Sequence, residues 1–223
     1  MASCPENTLA SFSQAIRDGA DLLETDLHVT ADGVFVCIHD ESVNRTTDGS
    51  GRIADLTYAG TRHMRTDGQW PGFKGEGIPT LEEVCGILEP GVYLALELKS
   101  ARFREERVCR SLADELQRLG VRQRTVVIAF QRKHLRAFRS VEADVPIGQI
   151  SFSPFPRRGP DLLGPVWPIL FLNPWYVRQA HARGQIVCPL DPRPNSRLWF
   201  YKKLGCDAVL TDDPASTIRA LMP

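Results

Sequence analysis

The stretch Leu22-Leu23-Glu24-Thr25-Asp26-Leu27-His28-Val29-Thr30-Ala31-Asp32-Gly33-Val34-Phe35-Val36-Cys37-Ile38-His39-Asp40 decides how the chain is read. Two apolar runs, Leu22–Val29 and Val34–Ile38, flank Thr30-Ala31-Asp32-Gly33. That connection is too short for a parallel crossover, so the spacing predicts an antiparallel hairpin. With Ala31 and Asp32 as the loop residues, cross-strand partners sum to 63. Glu24 then lies opposite His39, and Asp26 opposite Cys37. Opposed residues share a face, as do residues two apart on one strand. This register puts Glu24, Asp26 and His39 on one face, and a one-residue change in the loop undoes it.

Outward from the hairpin, short apolar runs alternate with helical patterns. Val92–Leu98, Thr125–Phe130, Pro146–Ile150, Ile169–Leu172, Ile186–Leu190 and Ala208–Leu210 read as further strands, mostly too apolar to have a wet face. Leu9, Phe12 and Ile16, then Leu81, Val84 and Leu88, then Val108, Leu112, Leu116 and Leu119 form helical stripes. Pro79-Thr80 followed by Glu83 has the form of a capping box, and Gly120 marks a helix stop. Buried strands alternating with amphipathic helices imply a mostly parallel sheet covered by helices. About eight strands over this length suit a (β/α)8 barrel better than an open sheet. Residues 41–79, rich in Gly, Asp, Thr and Arg, read as an insertion on the barrel rim of a single domain spanning 1–223.

Composition narrows the function classes. The 223 residues carry 27 Lys and Arg against 27 Asp and Glu, for zero formal charge. A basic face tracking nucleic-acid phosphates is not indicated. No run reaches the length of a membrane span, and the N-terminus shows no signal peptide. The six cysteines are scattered without a C-x-x-C pair and read as reduced, small hydrophobes. The default is a soluble cytoplasmic domain of unspecified oligomeric state. Neither a glycine-rich nucleotide loop nor a G-x-S-x-G elbow follows any strand.

What remains is a set of carboxylates on apolar strands. Glu24 and Asp26 share one face of an otherwise apolar run, and burying two carboxylates side by side calls for a cation. All-oxygen ligands favour magnesium or calcium over zinc; salt bridges at a strand terminus are the plainer alternative. Glu97-Leu98-Lys99 closes Val92–Leu98, with its acid and base on one face. Glu97 would add a third metal ligand while Lys99 balances a phosphate or a developing oxyanion; an internal ion pair is the alternative. His39, where a strand leaves the core, suits proton transfer near neutral pH. His28 reads as locally hydrogen-bonded, and His63, His134 and His181 as surface residues. Arg102–Arg107 and Arg132–Arg139 read as solvated faces.

Together these segments resemble the glycerophosphodiester phosphodiesterase family. The likeness begins at Pro5-Glu6-Asn7-Thr8-Leu9-Ala10-Ser11-Phe12 and runs through Glu24–Gly33 and His39-Asp40-Glu41-Ser42. It continues in Asn44–Gly51, Ile78-Pro79-Thr80-Leu81-Glu82-Glu83 and Glu97-Leu98-Lys99, and closes with Gly205–Pro214. The resemblance implies an irregular TIM barrel with a small rim insertion, hydrolysing glycerophosphodiesters to sn-glycerol 3-phosphate and an alcohol. It implies that Glu24, Asp26 and Glu97 hold one magnesium or calcium ion. His39 would be one of two acid–base histidines, and Lys99 would lie against the phosphate. Rim loops 60–76 and 151–195 would choose the alcohol. The closest rival enzyme acts on lysophospholipids by a phospholipase D-like route.

Two departures from the family pattern stand out. Its members carry a strand ending in H-R-G shortly before P-E-N-T, whereas only Met1-Ala2-Ser3-Cys4 precedes Pro5 here. The expectation is a barrel whose first strand, with its histidine and arginine, is missing, and whose turnover is impaired. Either Met1 is a mis-assigned start or fragment boundary, the reading preferred here, or this is a non-catalytic relative that binds metal and phosphodiesters. The family's late W-T-V-N segment is replaced by Leu190-Asp191-Pro192-Arg193, which removes an aromatic rim residue.

Overall fold

A computed structural model describes residues 4–66, 70 and 72–222. Met1–Ser3 and part of the expected rim loop 60–76 lie outside the described residues. Seven strands form one sheet: β1 (Leu22–Val29), β2 (Phe35–Cys37), β3 (Tyr93–Leu98), β4 (Thr125–Ala129), β5 (Ile147–Ser151), β6 (Leu162–Pro165) and β7 (Ile186–Val187). Their order is β2-β1-β3-β4-β5-β6-β7, and only the β1–β2 pair is antiparallel. Hydrogen bonds do not close this sheet among the described residues.

The first, third and fourth helices form where the sequence periodicity places them. α1 (Leu9–Arg17) starts on a Thr8–Ser11 capping box and buries Phe12 and Ala15. α3 (Leu81–Gly86) starts on the Thr80–Glu83 box, which satisfies amides the first turn leaves open. α4 (Glu106–Arg118) buries Val108, Leu112 and Leu116, and stops before Gly120 at φ +69°. α5 (Arg132–Val141) buries His134, Leu135 and Phe138. These helices pack on Leu23, Leu27, Leu94, Leu96, Leu98, Val127 and Ala129 to make the main core. Strand alternation sends Ala95, Ile128 and Ile150 to the opposite, inner face. Gly148 also belongs there: a Cβ on it would lie 2.7 Å from Ile128 Cγ2.

Four sequence expectations are corrected. The hairpin pairs Leu27 with Cys37, His28 with Val36 and Val29 with Phe35, one residue away from the expected register. The loop has three residues, because Gly33 takes φ +89° and donates to Thr30 O, leaving Thr30 paired with Val34. Asp26 therefore faces Ile38, whose amide donates to its carbonyl at 3.0 Å, and pairing ends before His39. Ile169–Leu172 is helical, within α6 (Pro168–Leu172), since Pro168 at the first turn presets helical φ. The strand there is instead Leu162–Pro165, disguised by Gly164 and Pro165. Ala208–Leu210 joins no ladder: the preceding Asp207 accepts the Val187 amide in its side chain at 2.7 Å, where a neighbouring strand would have used it. Finally, His134 is fully buried, donating from Nδ1 to Leu98 O at 2.9 Å.

The remaining helices are α2 (Tyr58–Thr61), α7 (Tyr176–His181), α8 (Leu198–Leu204) and α9 (Pro214–Leu221). Leu163, Val187, Leu170, Val177 and Tyr201 make a second cluster behind β6 and β7. Residues between 41 and 79 pack Val43, Ile53 and Ile78 onto Val36 and Ile38 of the hairpin. The hairpin's slip is what permits this, since it turns Val36 of β2 and Ile38 just beyond it toward that segment. Cys37, Cys85, Cys109, Cys188 and Cys206 are thiols. No helix among the described residues is long and apolar enough to cross a membrane.

Candidate active site

Parallel pairing of β1 with β3 sets Asp26 beside Glu97 and Glu24 beside Ala95. Residues in register share a face, so three carboxylates meet on the inner side of the sheet. One oxygen from each of Glu24, Asp26 and Glu97 lies within 4.8 Å of the others. Asp26 and Glu97 are buried. Lys99, just past β3, reaches Glu97 Oε1 at 3.0 Å and Asp26 Oδ1 at 3.2 Å. Asn7 donates to Asp26 Oδ2 at 3.1 Å and accepts from Thr25 Oγ1 at 2.7 Å. Its φ of +51° is a left-handed value that asparagine tolerates better than most residues.

The electrostatics are one-sided. Burial raises the proton affinity of Glu24 well above the carboxylate range, and the charges of Asp26 and Glu97 push it further. The Glu24 carboxylate has no hydrogen-bonding partner among the described residues. Burial also raises Glu97, against the pull of Lys99. Burial acts to lower Lys99, but Asp26 and Glu97 together hold it above the usual lysine range. Three acids facing one lysine leave negative charge uncompensated. An all-oxygen donor set of this span fits a hard divalent cation, whose ligand oxygens sit about 2.0–2.6 Å from the metal.

His39 does not reach this place by the predicted pairing. It lies just beyond β2, half exposed, with Nδ1 2.8 Å from Asp40 Oδ1. Arg45 bonds Asp40 through Nε at 2.6 Å and Glu6 through one terminal nitrogen at 3.0 Å. Those bonds hold the Asp40 carboxyl far below its ordinary range and also lower Glu6. Even so, the His39 ring is close enough to Glu97 and Glu6 to act on their charges, and it lines a cleft with Glu6, Asn7, Thr46 and Ile78. His28 is buried and bonds the His39 carbonyl from Nε2 at 3.3 Å, so it fixes the backbone there. Burial lowers its proton affinity.

Residue reading alone missed Asn7, the Arg45–Asp40–Glu6 chain and Asp212, whose charge reaches Glu24. Only the P-E-N-T and N-R-T-T motifs hinted at the first two; no periodicity marks a loop residue that bonds a strand carboxylate. Leu190–Arg193 does not fill the rim. Asp191 is buried, accepting from Arg197 Nε at 2.7 Å and Tyr201 at 2.6 Å.

Comparison with known proteins gives this geometry a setting. Residues 1–216 match the glycerophosphoryl diester phosphodiesterase family. A glycerophosphodiester phosphodiesterase of Caldanaerobacter subterraneus is 28% identical over 96% of this chain and 91% of its own length. One from Bacillus altitudinis is 26% identical over 96% and 92%. Among solved structures, an Oleispira antarctica phosphodiesterase in complex with the product sn-glycerol-3-phosphate superposes with TM-score 0.85 at 24% identity, covering 99% of this chain and 92% of that one. The Agrobacterium tumefaciens glycerophosphodiester phosphodiesterase gives 0.81 at 22%, covering 97% and 94%. The sheet is therefore that of an irregular TIM barrel, and the chain belongs to the glycerophosphoryl diester phosphodiesterase family of phosphoric diester hydrolases.

Proposed function

We propose that the chain hydrolyses glycerophosphodiesters to sn-glycerol 3-phosphate and an alcohol, with one magnesium or calcium ion held by Glu24, Asp26 and Glu97. The observation that carries this reading is the three-carboxylate cluster with Lys99 on the inner face of β1 and β3. A bound divalent ion would supply Lewis-acid neutralisation of the phosphate. Lys99 adds a second positive charge beside it and offers ammonium donors to the phosphate oxygens. His39 moves protons at Nε2, its ring oriented by Asp40 through Nδ1. In the simplest route the glycerol 2-hydroxyl attacks phosphorus and the alcohol leaves. Water then opens the cyclic ester to sn-glycerol 3-phosphate. Residues 41–79 serve as a rim insertion of one domain, and the thiols are consistent with a cytoplasmic location.

Coupled detection of glycerol 3-phosphate across a panel of diesters, with and without added Mg2+ or Ca2+, tests the proposal. Metal-dependent release of glycerol 3-phosphate supports it; a rate far below the enzyme median of roughly 10 s⁻¹ is expected where the family's second histidine and its arginine are missing, and a rate near that median would overturn the expected impairment. Binding of metal and diester without turnover overturns hydrolysis in favour of a binding role. Release of lysophosphatidic acid from lysophospholipids as the main product would move the substrate class to lipids.

A further inference from the structure

Three residues stand just past the ends of three neighbouring strands. Lys99 follows β3, Phe130 follows β4 and Phe152 follows β5, all at the end of the sheet where Glu97 lies. The register pairs Glu97 with Ile128 and Ile128 with Gly148 on the inner face. Side chains two residues further along a strand share its face, which sends Lys99 and Phe130 inward as well. The contacts agree. Lys99 Nζ lies 5.9 Å from the centre of the Phe130 ring, and that ring stacks on Phe152 at 6.0 Å with an interplanar angle of 28°. The row starts at an ammonium bonded to Glu97 and Asp26 and ends on a ring that is 71% exposed.

The surroundings of the two rings are short of hydrogen-bonding groups. The inward positions beneath them are Val126 and Ile128 on β4 and Gly148 and Ile150 on β5. The polar side chains alongside are engaged elsewhere. Gln131 Oε1 accepts from Arg104 at 2.9 Å, Ser151 Oγ accepts from the Ser153 amide at 2.9 Å, and Ser153 Oγ donates to Phe155 O at 2.9 Å. A polyol brought here would give up hydrogen bonds to water without replacement. An aromatic face instead attracts positive charge through its quadrupole, and a quaternary ammonium has no N–H to satisfy. Phe130 already presents its ring to an ammonium, that of Lys99.

We propose that the Phe130–Phe152 pair is the subsite for the alcohol half of the diester, and that it selects an alcohol bearing a quaternary ammonium, as in choline, over a polyol such as inositol. The inference rests on the reading of the carboxylates and Lys99 as the metal and phosphate site. With the phosphate against Lys99, the two-carbon arm of a choline ester carries its trimethylammonium group onto the adjacent rings. Sheet order puts His39, which lies beyond β2, on the other side of Lys99 from Phe130, so the glycerol half faces His39.

Equilibrium binding of phosphate monoesters tests this without requiring turnover. Phosphocholine and myo-inositol 1-phosphate are titrated calorimetrically into the 223-residue chain with Mg2+ or Ca2+ present. Inorganic phosphate reads the phosphate site alone. The wild type is expected to bind phosphocholine about tenfold more tightly than the inositol ester, the scale for a cation on aromatic faces. F152S and F152L are each expected to bring that ratio within about twofold, whereas F152Y, which keeps the ring, retains it. Thermal unfolding of these variants should match the wild type, because the side chain is largely exposed. Equal binding of the two esters by the wild type, with inorganic phosphate still bound, overturns the subsite alone. A ratio kept in F152S or F152L overturns the ring–cation selection. If inorganic phosphate itself shows no metal-dependent binding, the underlying phosphate site fails, and the subsite built on it fails with it.

Discussion

Two acids at the same end of the barrel, Glu24 near β1 and β3 and Asp191 beyond β7, live in opposite electrostatic worlds. Burial alone would raise both. For Asp191, hydrogen bonds from Arg197 and Tyr201 override burial and lower its proton affinity. For Glu24, burial and the charges of Asp26 and Glu97 outweigh the pull of Lys99, and its affinity rises. The Asp191 region is finished: charge is paired, and Arg197 also covers the Trp167 ring at 4.4 Å. The Glu24 region is left with a deficit that its own residues do not supply. A fold that can satisfy a buried acid in one sector and sets three acids against one lysine in another marks the second as the place where something binds.

The hardest way to break that contrast is Glu97→Gln, which removes one of three oxygens while keeping the side-chain shape. If the cluster holds the ion, loss of several kcal/mol of charge stabilisation corresponds to a fall in kcat/KM on the order of 10⁴-fold. Saturating Mg2+ or Ca2+ should raise Tm in the wild type and much less in the variant. Next comes His39→Ala. The side chain is half exposed, so Tm should hold while glycerol 3-phosphate release drops ~10²–10⁴-fold, the usual range for losing an acid–base group. A drop below tenfold would take the proton-transfer role away from His39.

Much of this contrast was legible beforehand, and unevenly. Helices could be placed because their stripes and caps are local: Thr80 and Glu83 signal each other across one turn. The carboxylates could be grouped because Glu24, Asp26 and Glu97 are polar intrusions on apolar strands, a conflict visible in one dimension. The hairpin register could not be fixed. It turned on whether Gly33 belongs to the loop, and one residue reverses every face. His39 was expected beside Glu24 and Asp26 through a pairing that does not exist, and it lines the cleft with Glu6 and Asn7 from beyond the end of β2. His134 was misplaced among surface residues because Arg132, Lys133 and Arg136 surround it in sequence, whereas the helix turns it inward. The run Ile169–Leu172 was undecidable by periodicity, four apolar residues being equally compatible with either element.

On the satisfied side of the comparison, Asp191→Asn should destabilise the fold by about 3 kcal/mol near neutral pH, the scale for breaking a buried pair and stranding its cation. The sign with pH follows from the lowered affinity. Asp191 contributes in full above the unfolded carboxyl pKa, roughly 3.9, and the contribution is lost as pH falls through its lower folded value. Chemical denaturation of wild type and variant should therefore diverge at pH 6–7, on the order of physiological values, and converge in acid. Equal differences at both ends would mean that packing of Tyr201, not charge, sets the loss.

The smallest effect carries the sharpest sign. Glu24 is the carboxylate with no hydrogen-bond donor or ion-pair partner on its side chain among the described residues, and burial and the charges of Asp26 and Glu97 raise its affinity against the pull of Lys99. In chelator, Glu24→Gln relieves that repulsion without changing the side chain's size. The variant should be more stable than wild type by about 0.5–2 kcal/mol, the range in which functional sites give up stability for chemistry. With saturating divalent ion the order should reverse, because the wild type gains linkage energy the variant cannot. Thermal unfolding of the pair, with chelator and then with Mg2+ or Ca2+, reads both signs in one experiment. Should Glu24→Gln be destabilising in chelator as well, the carboxylate is already satisfied in the protein, and the contrast with Asp191 would no longer point to a cation.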